Sequence, residues 1–252
     1  MYRIINVLIV RHLMAFSVVG FLLMSFVVSN NFRTPDYSNW DTLLKKHVSA
    51  DGKVDYKGFY SDKEKLTAFT DYLAENTPKF SWSENEKKAY LINAYNANTV
   101  RLIIEHYPVN SIKDIGGALS NVFNKKFIRF ASEMVSLDDI EKNMLLQMGD
   151  ARVHFAINCA SISCPKLANF AFKAEMLNQQ LDKVSKAFIN SSNVEVIDGK
   201  VHLSKIFKWY ENDFIEAAGS VINFINRYAE TKIDSNAKLN YVDYSWALNG
   251  TN

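Results

Sequence analysis

The stretch on which the fold and the chemistry of this chain depend reads His154-Phe155-Ala156-Ile157-Asn158-Cys159-Ala160-Ser161-Ile162-Ser163-Cys164-Pro165. It holds both cysteines of the 252-residue chain and one of its five histidines, so it is the stretch richest in reactive side chains. Its first part, Arg152 to Asn158, alternates in polarity. Because successive side chains of a strand point to opposite faces, the alternation predicts a strand that carries His154 and Asn158 on one face.

The composition predicts a helix-rich fold. The chain contains only four prolines and nine glycines, too few for a sandwich of many short strands, and it is 48% hydrophobic. We expect a single α+β domain in which a small, mainly antiparallel sheet packs against several helices. The Asp198-Gly199 pair predicts a hairpin between the segments 194–197 and 200–203.

A helix rich in asparagine precedes the cysteine stretch. Ser83 and Glu86 have the spacing of a capping box, which predicts a helix that runs through Asn96 towards His106. Asparagine has a poor helix propensity, and its amide needs partners when it is buried. Asn93 and Asn96 share a face, and we consider them a structural clamp on a neighbouring loop. We expect Asn98 to face solvent.

The first residues predict export. Arg3 and Arg11 accompany a run without charge from Leu13 to Val28, which is typical of a signal peptide or a signal anchor over residues 1–29. We expect a linker at 30–38 and a domain at 39–250, located outside the cytoplasm. Contact with a membrane is expected only through an uncleaved N-terminal segment.

The charge of the chain argues against nucleic-acid binding. The formal net charge of +2 comes from the two arginines of residues 1–29, which leaves 27 basic and 27 acidic residues in the remainder. A neutral body without a cluster of basic residues lacks the electrostatic footprint of a nucleic-acid-binding protein. We predict no cofactor, no metal and no nucleic-acid partner, and we expect an unidentified small-molecule or peptide ligand.

The two cysteines allow several interpretations. A thiol hydrolase would use Cys164 or Cys159 as its nucleophile and His154 as its base. Cys164 has more freedom to fold back over the His154 face, because it follows a polar turn. Glu141 or Asn96 would orient the imidazole ring.

Asn158, on the same face as His154, completes the set of candidate site residues. The alternatives are a disulfide between Cys159 and Cys164 in an exported protein, or two inert buried thiols. A zinc site that uses His154 with both cysteines is a further alternative, although the spacing matches no familiar zinc pattern.

Five blocks of the chain resemble the signature blocks of the DUF547 family. They are Ala89 to Ala97, Ser136 to Glu141, Val153 to Pro165, Ser204 to Phe214, and Tyr241 to Asn249. The resemblance covers about Tyr37 to Asn249. The chain departs from the family pattern after Glu141, where Lys142 stands at a position at which the family often has a histidine.

The resemblance implies an exported domain whose function is not known. It further implies a papain-like thiol hydrolase in which His154 acts with Cys159 or Cys164. The rival expectation is a non-catalytic binding or scaffold domain of the cell envelope that is stapled by a disulfide between Cys159 and Cys164.

Overall fold

A computed structural model describes residues 35–116 and 121–251 of the chain. Its α-helices are α1 (Ser38–His47), α2 (Tyr56–Ser61), α3 (Lys63–Glu75), α4 (Glu84–Glu105), α5 (Leu177–Ile189), α6 (Ile206–Trp209), α7 (Glu211–Ala218) and α8 (Val221–Tyr228). Its strands are β1 (Ile128–Phe130), β2 (Glu133–Val135), β3 (Val194–Ile197), β4 (Lys200–Leu203) and β5 (Leu239–Tyr241). The predicted signal segment, residues 1–29, lies outside the described residues.

Helices dominate the described residues, and the strands form two small sheets. β1 pairs with β2 in antiparallel fashion, and β4 lies between β3 and β5, antiparallel to β3 and parallel to β5. The described residues form one compact unit. The prediction of a helix-rich α+β domain with a small, mainly antiparallel sheet content is confirmed, including the hairpin at Asp198-Gly199. None of the helices in these ranges has the length and apolar character needed to cross a bilayer.

Helix α4 is buried along most of its length and forms the centre of the fold. The capping box is present: Glu86 N–H donates to Oγ of Ser83 at 3.3 Å, and the Ser83 N–H donates to Oε2 of Glu86 at 2.6 Å. A helix that is covered on all sides serves as a core element. Asn98 is buried as well, so the expectation that it faces solvent is wrong.

The segment before the cysteines is a 3-10 helix, Ala151–Phe155, so the strand predicted for Arg152 to Asn158 is wrong. Asp150 begins this helix, because its side chain accepts a hydrogen bond from the backbone N–H of Arg152 at 3.2 Å. The segment lies between two hydrophobic clusters. Val153 and Ile157 pack into the cluster around α4, whereas Phe155 packs into the aromatic cluster of the C-terminal helices. Burial on two sides requires apolar residues at alternate positions, which imitates the pattern of a strand.

Two asparagines of α4 hold neighbouring loops through their amides, as the clamp interpretation predicted. Asn93 donates to the carbonyl oxygen of Phe172 at 2.8 Å and accepts from its N–H at 3.0 Å. Asn96 donates to the carbonyl oxygen of Ala156 at 2.9 Å and accepts from the N–H of Asn158 at 2.8 Å. The second pair of bonds fixes the start of the cysteine stretch against α4.

An ionic cluster fixes the other end of the 3-10 helix. Asp150 accepts hydrogen bonds from Nζ of Lys88 at 2.9 Å and from Nε of Arg152 at 2.9 Å. Burial alone would raise the pKa of Asp150, but the hydrogen bonds from Arg152 and Lys88 outweigh it and lower the pKa to about 2.

We predict that Asn96→Ala lowers the free energy of unfolding by about 2–4 kcal/mol, because it leaves a buried N–H and a buried carbonyl without partners. Asn98→Ala is the matched control, since the Asn98 amide donates only to the Ala94 carbonyl of its own helix. We expect its effect to stay within about 1 kcal/mol. Urea unfolding measures the free energy of unfolding of both variants. Equal decreases for Asn96→Ala and Asn98→Ala would contradict the role of Asn96 as a clamp.

Asp150→Asn should destabilise the fold at neutral pH. The folded-state pKa of Asp150 is lowered, so its stabilising contribution is present above the unfolded value of about 3.9 and is lost as the pH falls towards 2. The difference in unfolding free energy between wild type and variant should therefore narrow over that pH range. Asp182→Asn, which removes a half-exposed partner of Arg152, is the control and should show a smaller difference. If the difference in unfolding free energy between wild type and Asp150→Asn does not change with pH, the lowered pKa of Asp150 is contradicted.

Candidate thiol site

A cavity of about 250 Å³ opens beside both cysteines. Its lining includes ionisable side chains and aromatic side chains. Among them are Glu141, His154, Cys159, Cys164, Tyr95, Trp209, Tyr210, Tyr244 and Trp246. These residues come from α4, the helical turn Asp139–Leu145, the 3-10 helix with the loop after it, the end of α6 and the segment after β5. Its walls therefore combine segments that are far apart in the sequence.

Residues 158–165, the cysteine loop, are closed by the side chain of Asn158. Its amide donates to the carbonyl oxygen of Pro165 at 2.7 Å, and its carbonyl oxygen accepts from the N–H of Ala160 at 2.9 Å. Ala160 is fully buried with φ of 60°, a left-handed conformation that alanine rarely adopts. The reversal of the chain at Ala160 brings Cys164 back to Cys159.

The two cysteines are free thiols in contact with each other. Their sulfurs are 2.8 Å apart, and the backbone N–H of Cys159 donates to Sγ of Cys164 at 2.9 Å. The hydroxyl oxygens of Ser161 and Tyr244 lie 3.4 and 3.3 Å from Sγ of Cys159. The sulfur of Cys159 is thus surrounded by three groups that can donate a hydrogen bond.

The two thiols have opposite pKa shifts. The hydrogen bond from Cys164, helped by those from Ser161 and Tyr244, lowers the pKa of Cys159, although burial and the charge of Glu141 oppose this effect. Burial raises the pKa of Cys164 well above its ordinary value, and the neighbouring Cys159 raises it further. Since the thiolate is the nucleophilic form, these opposite directions favour Cys159 over Cys164 as the nucleophile.

His154 is held by Asp213, a residue of α7. Nε2 of His154 lies 2.7 Å from Oδ2 of Asp213, and the ring of Tyr210 stacks on the imidazole at a centroid distance of 3.9 Å. A carboxylate only accepts hydrogen bonds, so Nε2 carries the proton. The buried Nδ1 atom has no hydrogen-bond partner among the described residues. A neutral imidazole with its proton on Nε2 keeps Nδ1 as its basic atom.

Glu141 lies on the neighbouring wall, in a π-helix that spans Asp139–Leu145. Its carboxylate accepts a hydrogen bond from the hydroxyl of Tyr210. Burial and the charge of Glu141 raise the pKa of Tyr210, so the phenol stays protonated and donates. Glu141 thus contacts Tyr210, the residue whose ring stacks on His154.

The structure brings four of the six predicted site residues to one cavity: Cys159, Cys164, His154 and Glu141. Asn96 and Asn158 instead bind backbone groups, and neither lines the cavity. The prediction that Glu141 or Asn96 orients the imidazole ring is wrong, because Asp213 takes that position.

Sequence reasoning also missed Tyr210 and Tyr244 as partners of the site. Together with Asp213, these residues belong to blocks that resemble the DUF547 family. No local sequence pattern indicates which side chain each of the three would contact.

No group of three or more histidine, cysteine or acidic side chains that could hold a metal ion occurs within residues 35–116 and 121–251. His154, Cys159 and Cys164 line one cavity but do not form such a group. The zinc site considered from the sequence is therefore not formed in the described structure.

The fold and the cavity describe an α+β domain with a buried thiol pair. Residues 80–189 match the model of a family described as "Protein of unknown function, DUF547". The match contains three of the five blocks that carry the resemblance, including the cysteine loop, whereas the two C-terminal blocks lie outside it. No curated protein and no solved structure matches the chain.

Tyr244→Phe should raise the pKa of the Cys159 thiol, because it removes a hydroxyl that lies 3.3 Å from the sulfur. The rate of alkylation by iodoacetamide, measured against pH and located by peptide mapping, should show Cys159 titrating below an ordinary cysteine in wild type and closer to it in the variant.

Tyr241→Phe is the control for this measurement, because Tyr241 lies on β5 and does not line the cavity. It should leave the alkylation profile of Cys159 unchanged. A wild-type profile in which Cys159 titrates no lower than Cys164 would contradict the assignment of the two thiols.

Proposed function

We propose that this chain is a thiol-dependent hydrolase of amide or thioester bonds, with Cys159 as its nucleophile. One observation carries the proposal: Cys159, whose thiol pKa is lowered, lines the same cavity as an imidazole that Asp213 holds by one nitrogen. A nucleophile, a base and a group that orients the base are the parts that acyl transfer through a thiol requires.

The role of His154 follows from the position of its proton. Asp213 accepts the Nε2–H bond at 2.7 Å and so fixes the tautomer in which Nδ1 is the free base. Tyr210 stacks on the ring and Phe214 lies 5.5 Å from it, so the imidazole has little freedom to rotate. Asp213 is a positioning residue, because it acts on the reaction through His154.

The reaction would proceed in two halves. The Cys159 thiol gives its proton to Nδ1 of His154, and the thiolate attacks the carbonyl carbon of the substrate. When the bond to the leaving nitrogen or sulfur breaks, His154 returns the proton to that atom, which leaves an acyl group on Cys159. Water then attacks the acyl group, His154 takes a proton from the water, and the carboxylic acid departs as the thiol is restored.

Neither sulfur is hydrogen-bonded to His154 among the described residues. The proton transfer therefore needs a bridging water molecule or a closer approach in the substrate complex, as is common for catalytic groups before substrate binds. The hydrogen bonds to Cys159 lower its thiol pKa, which makes this proton easier to transfer.

We propose further that the hydrolase works outside the cytoplasm and that Tyr37 to Asn249 form one DUF547-like domain. The uncharged run from Leu13 to Val28 supports export. The resemblance in the blocks after residue 189 supports the wider extent of the domain. Cell fractionation followed by sequencing of the N-terminus tests the export, and a cytoplasmic protein with an intact N-terminus would contradict it.

The hydrolase proposal is tested by trapping the acyl group. We expect that a panel of acyl thioesters of a chromogenic thiol, together with peptide amides, contains a substrate that leaves its acyl group on Cys159, as seen by intact mass and peptide mapping. Cys159→Ala should abolish both the adduct and the turnover. Asp213→Asn should lower kcat by roughly 10²-fold with little change in KM, because it disturbs the tautomer of His154.

Glu211→Gln is the matched control for Asp213→Asn, because it removes one charge from an exposed position of the same helix. It should leave turnover unchanged. Absence of any acyl adduct on Cys159 across the panel would overturn the proposal and favour the non-catalytic binding domain.

A further inference from the structure

Acyl transfer uses one thiol as its nucleophile, so the second sulfur beside Cys159 is available for chemistry of its own. Cys159 and Cys164 are separated by four residues, and the left-handed turn at Ala160 places their sulfurs 2.8 Å apart. The amide of Asn158 spans the base of this loop and holds both of its ends. The loop thus presents a preformed dithiol to the cavity.

We propose that Cys159 and Cys164 form a reversible dithiol–disulfide couple that exchanges with small-molecule disulfides. This activity goes beyond the proposed hydrolase, because it needs only the two sulfurs and does not involve His154. It also differs from a structural staple, since the pair stands as two free thiols at the wall of a cavity.

The geometry limits the movement that oxidation requires. The sulfurs are already in contact, so bond formation at about 2 Å needs a shift smaller than one atomic diameter. The N–H of Cys164 donates to the carbonyl oxygen of Ser161 at 3.1 Å, which makes the loop a tight turn in the reduced form. The clamps at both ends of the loop remain in place when only the two sulfurs approach.

The two thiols would have different roles. Cys159, the better thiolate, attacks one sulfur of the small disulfide and forms a mixed disulfide, while the first small thiol leaves as a thiolate. That thiolate takes the proton of Cys164, whose sulfur then attacks Sγ of Cys159 and expels the second small thiol. In total, two protein thiols and one small disulfide give one protein disulfide and two small thiols.

The size of the cavity favours a small oxidant over a protein partner. Both cysteines are partly buried, and they are reached through a space of about 250 Å³. This volume suits part of a small organic disulfide, whereas the loop of another protein would need a wider opening. Oxidation would consume the Cys159 thiol, so the hydrolase proposed above would be inactive in the disulfide form.

The test uses the full chain, reduced and then incubated with oxidised glutathione over a series of ratios to reduced glutathione. After acid quenching and alkylation, intact mass and peptide mapping identify the products. Wild type should lose both alkylatable thiols, retain no glutathione and recover both thiols on reduction. Cys164→Ser should keep glutathione on Cys159, because no second thiol resolves the mixed disulfide.

Cys159→Ser is the reciprocal variant. Its remaining Cys164 should react with oxidised glutathione about tenfold more slowly than Cys159 does in Cys164→Ser, because burial, the larger cause of the raised pKa of Cys164, remains in this variant and leaves little thiolate. In denaturant the two variants should react at the same rate. Equal rates for the folded variants would overturn the assigned roles.

Wild type itself keeps the proposal testable if a variant fails to fold. Two free thiols that persist in excess oxidised glutathione, or a stable glutathione adduct in wild type, would overturn the couple. Neither result bears on acylation of Cys159 by thioesters or amides, which is measured on the reduced chain. The two proposals can therefore fail separately.

Discussion

The amide side chain of Asn158 is the interaction on which the site depends. It joins the two ends of the cysteine loop, and its backbone N–H is held in turn by Asn96 of the buried helix α4. Buried amides of this kind are costly without partners, and here the amide nitrogen and the amide oxygen of Asn158 each have one. The loop is consequently anchored to the most buried helix of the fold, while its two sulfurs remain at the wall of a cavity.

The chemistry of the cavity is divided between two walls. On one wall, hydrogen bonds from Cys164, Ser161 and Tyr244 lower the pKa of Cys159. On the other wall, Asp213 and Tyr210 fix the ring of His154. The causes that lower the pKa of Cys159 are thus hydrogen bonds and not the charge of a neighbouring cation.

The parts of the structure that depend on local rules were predictable from the sequence. The capping box at Ser83 and the hairpin at Asp198-Gly199 follow from residue types at short spacing. The poor helix propensity of asparagine indicated a clamp at Asn96, but its partners Ala156 and Asn158 lie 60 and 62 positions away and have no local signal. The sequence of the 3-10 helix Ala151–Phe155 predicts a strand, because burial between two hydrophobic clusters produces the same alternation of polar and apolar residues. The contact between His154 and Asp213 joins residues 59 positions apart, and no local pattern encodes such a pair.

The distance in sequence between the parts of the site makes the reactivity of Cys159 a property of the folded chain. Tyr244 lies 85 residues after Cys159, so only the completed fold brings its hydroxyl to the sulfur. A partly folded chain has an ordinary thiol of low reactivity. By linkage, ionisation of Cys159 also favours the folded state above the unfolded thiol pKa, and that contribution is lost as the pH falls through the lowered folded-state pKa. The hydrogen bond from Tyr244 is therefore available to Cys159 only in the folded chain.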